Sequence, residues 1–401
     1  MTLPPPPNLN IQLRYDLDGG GPRQSGADLR NSLFELLHAL EAQGSIKAAA
    51  ESLGQSYRHV WGAIRQWEAT LGQELIVWHK GRRATLTPFS LRLIWSERHA
   101  RVRMTPHLEA LRAELAQVLR EAADSRLQFL NVAASHDLGV GLLQALAGDR
   151  GQLHMKLRFT GSEQALRDLN EGVCELAGFH VPRLSRASDV FRAALAPHLR
   201  PGEHKLISSH SRVQGWMSRR EPATLASSGW RRLRTPGTRL VNRQPGSGTR
   251  LLLDHLLQEH GLEAESLEGY LTRIEHTHVA VAAMIAGGTA DIGLGVEAVA
   301  HDFGLHFEPL VEEDYYLVCL KEQLDREPVL RLRQLLGEGS WAGELQRLPG
   351  YTVQRPGAVL SLVQALPWWN FSGHRAKTRR PTTAKAAPPA HHTHEGKPGE
   401  P

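Results

Sequence analysis

Between residues 31 and 71 the apolar positions recur at three- and four-residue spacing and are interrupted twice by glycine. Leu33, Leu36, Leu37 and Leu40 share one face of a first helix, as the 3.6-residue period requires. Gly44 ends that helix and Ser45 opens a second, with Ile46, Ala49, Ala50 and Leu53 on one side. Gly54 supplies a sharp turn, since positive φ is cheap only for glycine. Ser56 caps a third helix whose inner stripe is Val60, Ile64, Trp67 and Leu71. Its opposite side carries Gln55, Tyr57, Arg58, His59 and Arg65, side chains suited to phosphate oxygens and base edges. A plain three-helix bundle with a solvated face would show the same periodicity. The next stretch favours a DNA reader: residues 74–78 and 83–86 read as strands around a basic turn containing Lys80, Arg82 and Arg83, the shape of a wing. The pattern predicts a winged helix-turn-helix over 28–87, with Ser45 and Ser56 completing the DNA-facing set.

Thr87-Pro88 is a helix start. From 88 to 120 the pattern stays helical, and Met104, Leu108, Leu111, Leu115 and Val118 form a short heptad seam suited to a homodimer or higher homo-oligomer. Pro106 is expected to kink or restart that linker helix. After a polar hinge the period changes. Strands at 127–133, 155–160, 175–181, 239–242 and 291–295 alternate with helices, including one at 278–286. Such alternation predicts a two-lobed α/β domain over 127–350 with parallel sheets, helices on both faces and a cleft between the lobes. The segment 183–234 crosses between lobes, and 315–319 is a late returning strand. Residues 1–27 and 355–401 have little periodicity and are expected to be disordered.

Candidate chemistry sits in the loops after strands. In Asn242 to Arg250 the glycines Gly246 and Gly248 let backbone N–H groups turn to one point. Ser247 and Thr249 add hydroxyls, Arg243 and Arg250 add charge, and a helix amino end follows. That is an anion pocket, and the absent Gly-Lys-Ser/Thr means it is not a Walker A loop and leaves nucleotide hydrolysis unsupported. Ser135-His136-Asp137, Thr160-Gly161-Ser162 and Thr277 before a helix occupy comparable places, where ligands settle in open α/β folds. A tight turn with good helix caps is the bland alternative for each loop. His136, His276 and His278 are too poorly spaced to argue for a metal, so none is expected, and no cofactor is.

Composition narrows the class. The chain has 401 residues, 41% hydrophobic and 22% charged, enough for two or three domains. Its longest apolar runs are too short to span a membrane, and its first residues do not read as a signal peptide. Two cysteines cannot make a disulfide framework, so a cytoplasmic setting is expected. Positive charge is concentrated: Lys and Arg outnumber Asp and Glu by 13 to 9 over residues 28–120 and by 6 to 2 over 374–401. A polyanionic partner such as double-stranded DNA suits that placement.

Residues Gly44-Ser45 to Ala50, Leu53, Ile64 to Gly72 and Leu86-Thr87-Pro88 resemble the DNA-binding domain of LysR-type and molybdate-responsive ModE-type regulators. Ser135-His136-Asp137, Thr160-Gly161-Ser162, Gly178-Phe179-His180, the Arg243 to Arg250 loop and Ala290 to Gly295 resemble the periplasmic-binding-protein-like domain fused to such regulators. The same domain type is attached to molybdopterin-biosynthesis proteins. The resemblance implies a transcriptional regulator that binds operator DNA and senses an oxyanion, with molybdate or tungstate the implied ligand. It departs from ModE-type proteins, whose effector part is a pair of small β-barrels. The alternative is an enzyme or carrier in molybdenum-cofactor handling that uses its helical domain for protein contacts. No nucleophile with a base and no paired carboxylates stand out for that.

Overall fold

The computed structural model describes residues 31–77, 85–123, 128–150, 153–184, 188–219 and 229–369. Helices α1 (Ser32–Gln43), α2 (Ile46–Ser52) and α3 (Tyr57–Leu71) form where the spacing predicts. Their ends are set locally. Asn31, Ser45 and Ser56 accept hydrogen bonds from the N–H groups of Leu33, Ala48 and His59, each cap worth about 1 kcal/mol. Gly44 ends α1 in the left-handed region at φ 64°. Leu36, Leu40, Ile46, Ala49, Val60 and Ile64 meet in one core.

Strands β1 (Ile76–Val77) and β2 (Thr85–Leu86) pair antiparallel, Ile76 opposite Leu86, as the base of the expected wing. Lys80, Arg82 and Arg83 lie outside the described residues, as do segments 1–27 and 370–401. The long helix α4 (Pro88–Ala123) follows, with the Ser90 amide donating to Thr87 Oγ1. The helix does not restart at Pro106 but runs through it, at the loss of the one amide hydrogen bond that proline cannot make. Leu111 and Leu115 of the seam are 40% and 37% exposed, and the side chain of Val118 is outside the described set.

The rest is one curled, ten-stranded mixed sheet. Its first half runs β3 (Gln128–Ala134), α5 (Leu138–Arg150), β4 (Leu153–Phe159), α6 (Ser162–Asn170), β5 (Leu176–Pro182) and α7 (Ser188–Leu195). The chain crosses along β6 (His204–Ser218) and α8 (Gly229–Leu233) into the second half. That half holds β7 (Leu240–Arg243), α9 (Gly248–Glu259), β8 (Ile274–Glu275), α10 (His278–Ala286), β9 (Ile292–Val296) and α11 (Glu297–Asp302). It returns along β10 (His306–Leu320) to α12 (Glu327–Gly337), α13 (Gly339–Leu345), β11 (Tyr351–Thr352), β12 (Val359–Leu360) and α14 (Leu362–Ala365).

Strands β3, β4 and β5 are parallel, and so are β7, β8 and β9. The expectation of purely parallel sheets fails at the crossings: β6 and β10, 15 residues each, pair antiparallel with each other and border both halves. A strand that leaves one half and a strand that returns must run in opposite directions. The chain also stays in the fold beyond 355, because Leu360, Leu362, Leu366 and Trp368 are buried against β6 and the α6–α7 side of the core. The amino-terminal half of α4 lies against α10. Trp95 touches Gly287, and His99 Nε2 is 3.0 Å from Glu275 Oε1. Among the described residues no helix is long and apolar enough to cross a membrane.

Candidate functional site

Two sites take shape, one on the surface and one inside. On the surface, Gln55, Ser56, Tyr57, Arg58 and His59 make the exposed first turn of α3, while Val60 and Ile64 behind them are buried. Ser45 and Ser56 spend their oxygens as caps and keep their hydroxyl protons to donate. Arg65 is exposed, pairs with Glu68 at 3.0 Å and lies over the Trp61 ring. Trp61, 40% exposed beside Tyr57, was not expected there. In sequence a tryptophan at helical spacing reads as core.

The interior site is a cluster of buried polar side chains around Asp137, in the loop between β3 and α5. The carboxylate of Asp137 accepts from five donors. Oδ1 takes His210 Nε2 at 2.8 Å and the Val140 amide at 3.2 Å. Oδ2 takes Arg212 Nη1 at 2.9 Å, Tyr351 Oη at 3.1 Å and His180 Nε2 at 3.2 Å. Burial alone would raise its pKa, but His210, His180 and Arg212 hold it well below the usual carboxylate range. Asp137 was expected to meet a ligand. Its lone pairs are already filled by protein donors, so it holds the cluster together instead.

Ser135 Oγ is 3.0 Å from His180 Nδ1, and Ser209 Oγ is 2.9 Å from His210 Nδ1, so each imidazole is fixed at both nitrogens. Arg212 continues the network to Glu313, whose Oε2 also accepts from Gln214 Nε2 at 2.7 Å. Gln214 Nε2 reaches Thr249 Oγ1 of α9 at 3.2 Å, which joins the two halves of the sheet. His210, Arg212 and Gln214 are alternate residues of β6 and so face one way, and Glu313 and Tyr315 answer them from β10. A register shift beside Tyr315 leaves Ser209 without a partner on β10 and bends the crossing at this point.

The strand-end loops meet over this network. A Cβ built on Gly161 would stand 2.9 Å from the Gly246 carbonyl oxygen, so the loops before α6 and α9 nearly touch across the cleft. Ser162 is buried with its Oγ unpartnered, and Thr160 is half-buried. Ser247 caps α9 through the Arg250 amide, Thr277 caps α10 through the Ala280 amide, and Gly248 begins α9. Arg243 is buried, and among the described residues its guanidinium meets only neutral acceptors, Gln244 Oε1 at 3.2 Å and the His276 carbonyl at 2.8 Å. Burial, with Arg212 adding to it, pushes its pKa down to about 9.

Arg250 was expected to add a second cation, and it does not. Its Nε is 3.0 Å from Asp254 one helical turn on, and its guanidinium lies 3.9 Å from the Tyr270 ring centre. His136 packs on Phe159 with Nδ1 unpartnered, and burial and Arg243 lower its pKa to about 3. His278, at the start of α10, is buried with both nitrogens unpartnered, and burial and Arg243 lower its pKa well below the usual value.

Residues 32–90 match the bacterial regulatory helix-turn-helix protein family, lysR, and residues 143–337 match the PBP superfamily domain. The chain is 29% identical over 206 residues to the uncharacterized protein YvgK of Bacillus subtilis (strain 168), a match covering 51% of this chain and 64% of that protein. It is 30% identical over 112 residues to an uncharacterized Clostridium pasteurianum protein in the 5' region of the ferredoxin 2Fe-2S gene, covering 28% of this chain and 98% of that one. The chain thus spans less than two thirds of the Bacillus protein and nearly all of the clostridial one. Full-length HypT of Salmonella typhimurium, a hypochlorite-specific LysR-type transcriptional regulator, is similar over 77% of this chain and 98% of that one, at 17% identity and a TM-score of 0.42.

Proposed function

Because the chain belongs to the family that joins a LysR-type helix-turn-helix domain to a PBP superfamily domain, we propose that it is a DNA-binding transcriptional regulator controlled by a small ligand. The observation that carries this is the start of α3, where Gln55, the cap Ser56 and Tyr57, Arg58 and His59 of the first turn stand exposed while Val60 and Ile64 behind them are buried. Such a turn enters a major groove and presents its side chains to base edges. Replacing Arg58 with alanine leaves the fold intact and weakens operator binding about 5- to 150-fold, the worth of one good contact of about 1–3 kcal/mol. A gel-shift titration against the protein's own upstream DNA reads this. Unchanged affinity would place the reading surface elsewhere.

Two readers are needed for a palindrome, and the exposed Leu111 and Leu115 on α4 support a homodimer. Changing both to aspartate puts two carboxylates in that seam, which costs several kcal/mol if they stay charged. The double variant is expected to elute as a monomer and to lose palindrome binding. Elution at the wild-type volume would move the interface off α4.

The cleft is read as the effector site, with an anion as its occupant. Arg243 is a buried cation with no carboxylate in ion-pair reach among the described residues, and α9 begins at Gly248 of the same loop, where a helix amino end carries positive partial charge. The oxyanions that the sequence resemblance brings are molybdate and tungstate. Ser135, His180 and Asp137 line up as hydroxyl, imidazole and carboxylate, yet the same carboxylate also carries His210, Arg212 and Tyr351. It serves a scaffold rather than one nucleophile, which favours a binder over an enzyme. The natural setting for such a regulator is the cytoplasm, with its DNA.

A further inference from the structure

Resting on the reading of the cleft as an anion-binding effector site, we propose that its ligand is a small zwitterion. Its acid group faces Arg243 and the amino end of α9, and its ammonium or other N–H donor faces Glu313 and Gln214. The unpaired atoms of the cleft carry the argument. Donors without partners are to be expected in an anion site, and Ser162 Oγ is one. Two buried acceptors are also unpaired: Glu313 Oε1 and Gln214 Oε1, on fully buried side chains. The amide of Gln214 is oriented by its own contacts, because Nε2 must be the atom 2.7 Å from Glu313 Oε2. Its oxygen is therefore the free atom.

His278 points the same way. A neutral imidazole presents one N–H and one lone pair, and both of its nitrogens lack partners. A ligand that fills the cleft has to match donors and acceptors alike, because each buried polar atom left unmatched is costly. An oxyanion without hydrogens offers acceptors only. It would leave Glu313 Oε1 and Gln214 Oε1 desolvated and facing negative charge.

Charge gives a second, independent reason. The carboxylates and guanidinium groups of the cluster are Asp137, Glu313, Arg212 and Arg243, two of each sign. Glu275, the other carboxylate acting on Arg243, is turned to His99 and Arg103 of α4. A dianion brings two charges into a buried site whose fixed charges already cancel. A zwitterion brings none net, while placing each of its charges beside the opposite one.

The test is a melting experiment on the full chain with matched probes: the standard amino acids and aminomethylphosphonate, the same acids N-acetylated or as carboxamides, and methylphosphonate, with molybdate, tungstate and sulfate beside them. At about a hundredfold excess over its dissociation constant, at least one zwitterion is expected to raise Tm by about 5–10 °C. Its N-acetyl and carboxamide forms, or methylphosphonate in the phosphonate pair, are expected to shift Tm far less. Glu313→Gln, checked for an intact fold by its ligand-free melting curve and near-UV circular dichroism, is expected to lose most of that shift. If Glu313→Gln does not fold, Gln214→Met serves, since it removes the second free acceptor and leaves the Arg212–Glu313 pair. Protection by molybdate, tungstate or sulfate with none by zwitterions overturns this inference and leaves the anion reading standing. Protection by no probe overturns both.

Discussion

Asp137→Ala is expected to lower the unfolding free energy by about 3–5 kcal/mol, the cost of breaking a buried charged network from one side. Asp137 is shared by five donors from four elements, α5, β5, β6 and β11, and none of those donors has solvent to turn to. Without it Arg212 keeps only Glu313, and His180, His210 and Tyr351 each lose an acceptor inside the protein. Asp137→Asn is expected to cost nearly as much. Whichever way the amide lies, its NH2 group faces at least two donors, because both carboxylate oxygens are in use. In thermal melts this corresponds to a fall of about 10 °C or more. Arg58→Ala, on the exposed turn of α3, is the control and is expected to melt with the wild type. A Tm for Asp137→Asn within a degree of wild type would mean that the network is not what holds the two halves of the sheet together.

What was legible in the sequence was local. The caps Ser45 and Ser56, the stops at Gly44 and Gly54, and the helix over 278–286 depend on neighbours within one turn, and the structure has them in place, while Ser247 and Thr277, expected at a ligand, take the capping role that was the alternative. The strand-end loops were legible too, since a strand followed by a hydroxyl residue and a helix needs no distant information. The hub was not. His210, Arg212 and Gln214 at alternate positions of a strand look like one solvent-facing edge. Asp137, from 73 and 75 residues before His210 and Arg212, and Tyr351 and Trp341, from far later in the chain, make that face interior, with Glu313 beside it 101 residues after Arg212.

Arg243 and Arg250 look equivalent in a glycine-rich loop. The difference between them is made by Asp254, four residues on, and by Tyr270, which comes from beyond α9. Asp254 at i+4 from Arg250 was a readable signal for an internal pair. The end of the fold was misplaced for a similar reason. Five buried side chains spread over residues 360–368 make too short a pattern to read as an element, and they pack because β6 offers them an edge and the core a face. At Pro106 the expectation of a restart rested on one missing hydrogen bond, a cost that a helix of 36 residues absorbs.

Acid is expected to destabilise the α/β domain well before carboxylates titrate. His180 is buried, and burial, with Arg212 adding to it, lowers its pKa to about 4 in the folded protein. In the unfolded chain it returns to about 6.5. Between those values the unfolded state binds a proton that the folded state refuses, so stability rises with pH across the window and falls on acidification. The full difference corresponds to about 3 kcal/mol for His180 alone, since each unit is about 1.4 kcal/mol. His278 and His136 are shifted in the same direction and steepen the slope. Asp137 acts in a lower window. Its pKa is depressed, so its contribution is present above the ordinary carboxylate value and is lost only as pH falls below it. Denaturant titrations at pH 7.5, 5.5 and 4.5 are expected to show the midpoint dropping over the first interval and again over the second. His180→Gln, which keeps a hydrogen-bonding side chain without a titrating one, is expected to be weaker at pH 7.5 and to have a shallower fall. A midpoint that stays level from pH 7.5 to 5.5 would mean that these imidazoles are solvated in the folded protein, and that the cleft stands open to water rather than closed over its polar core.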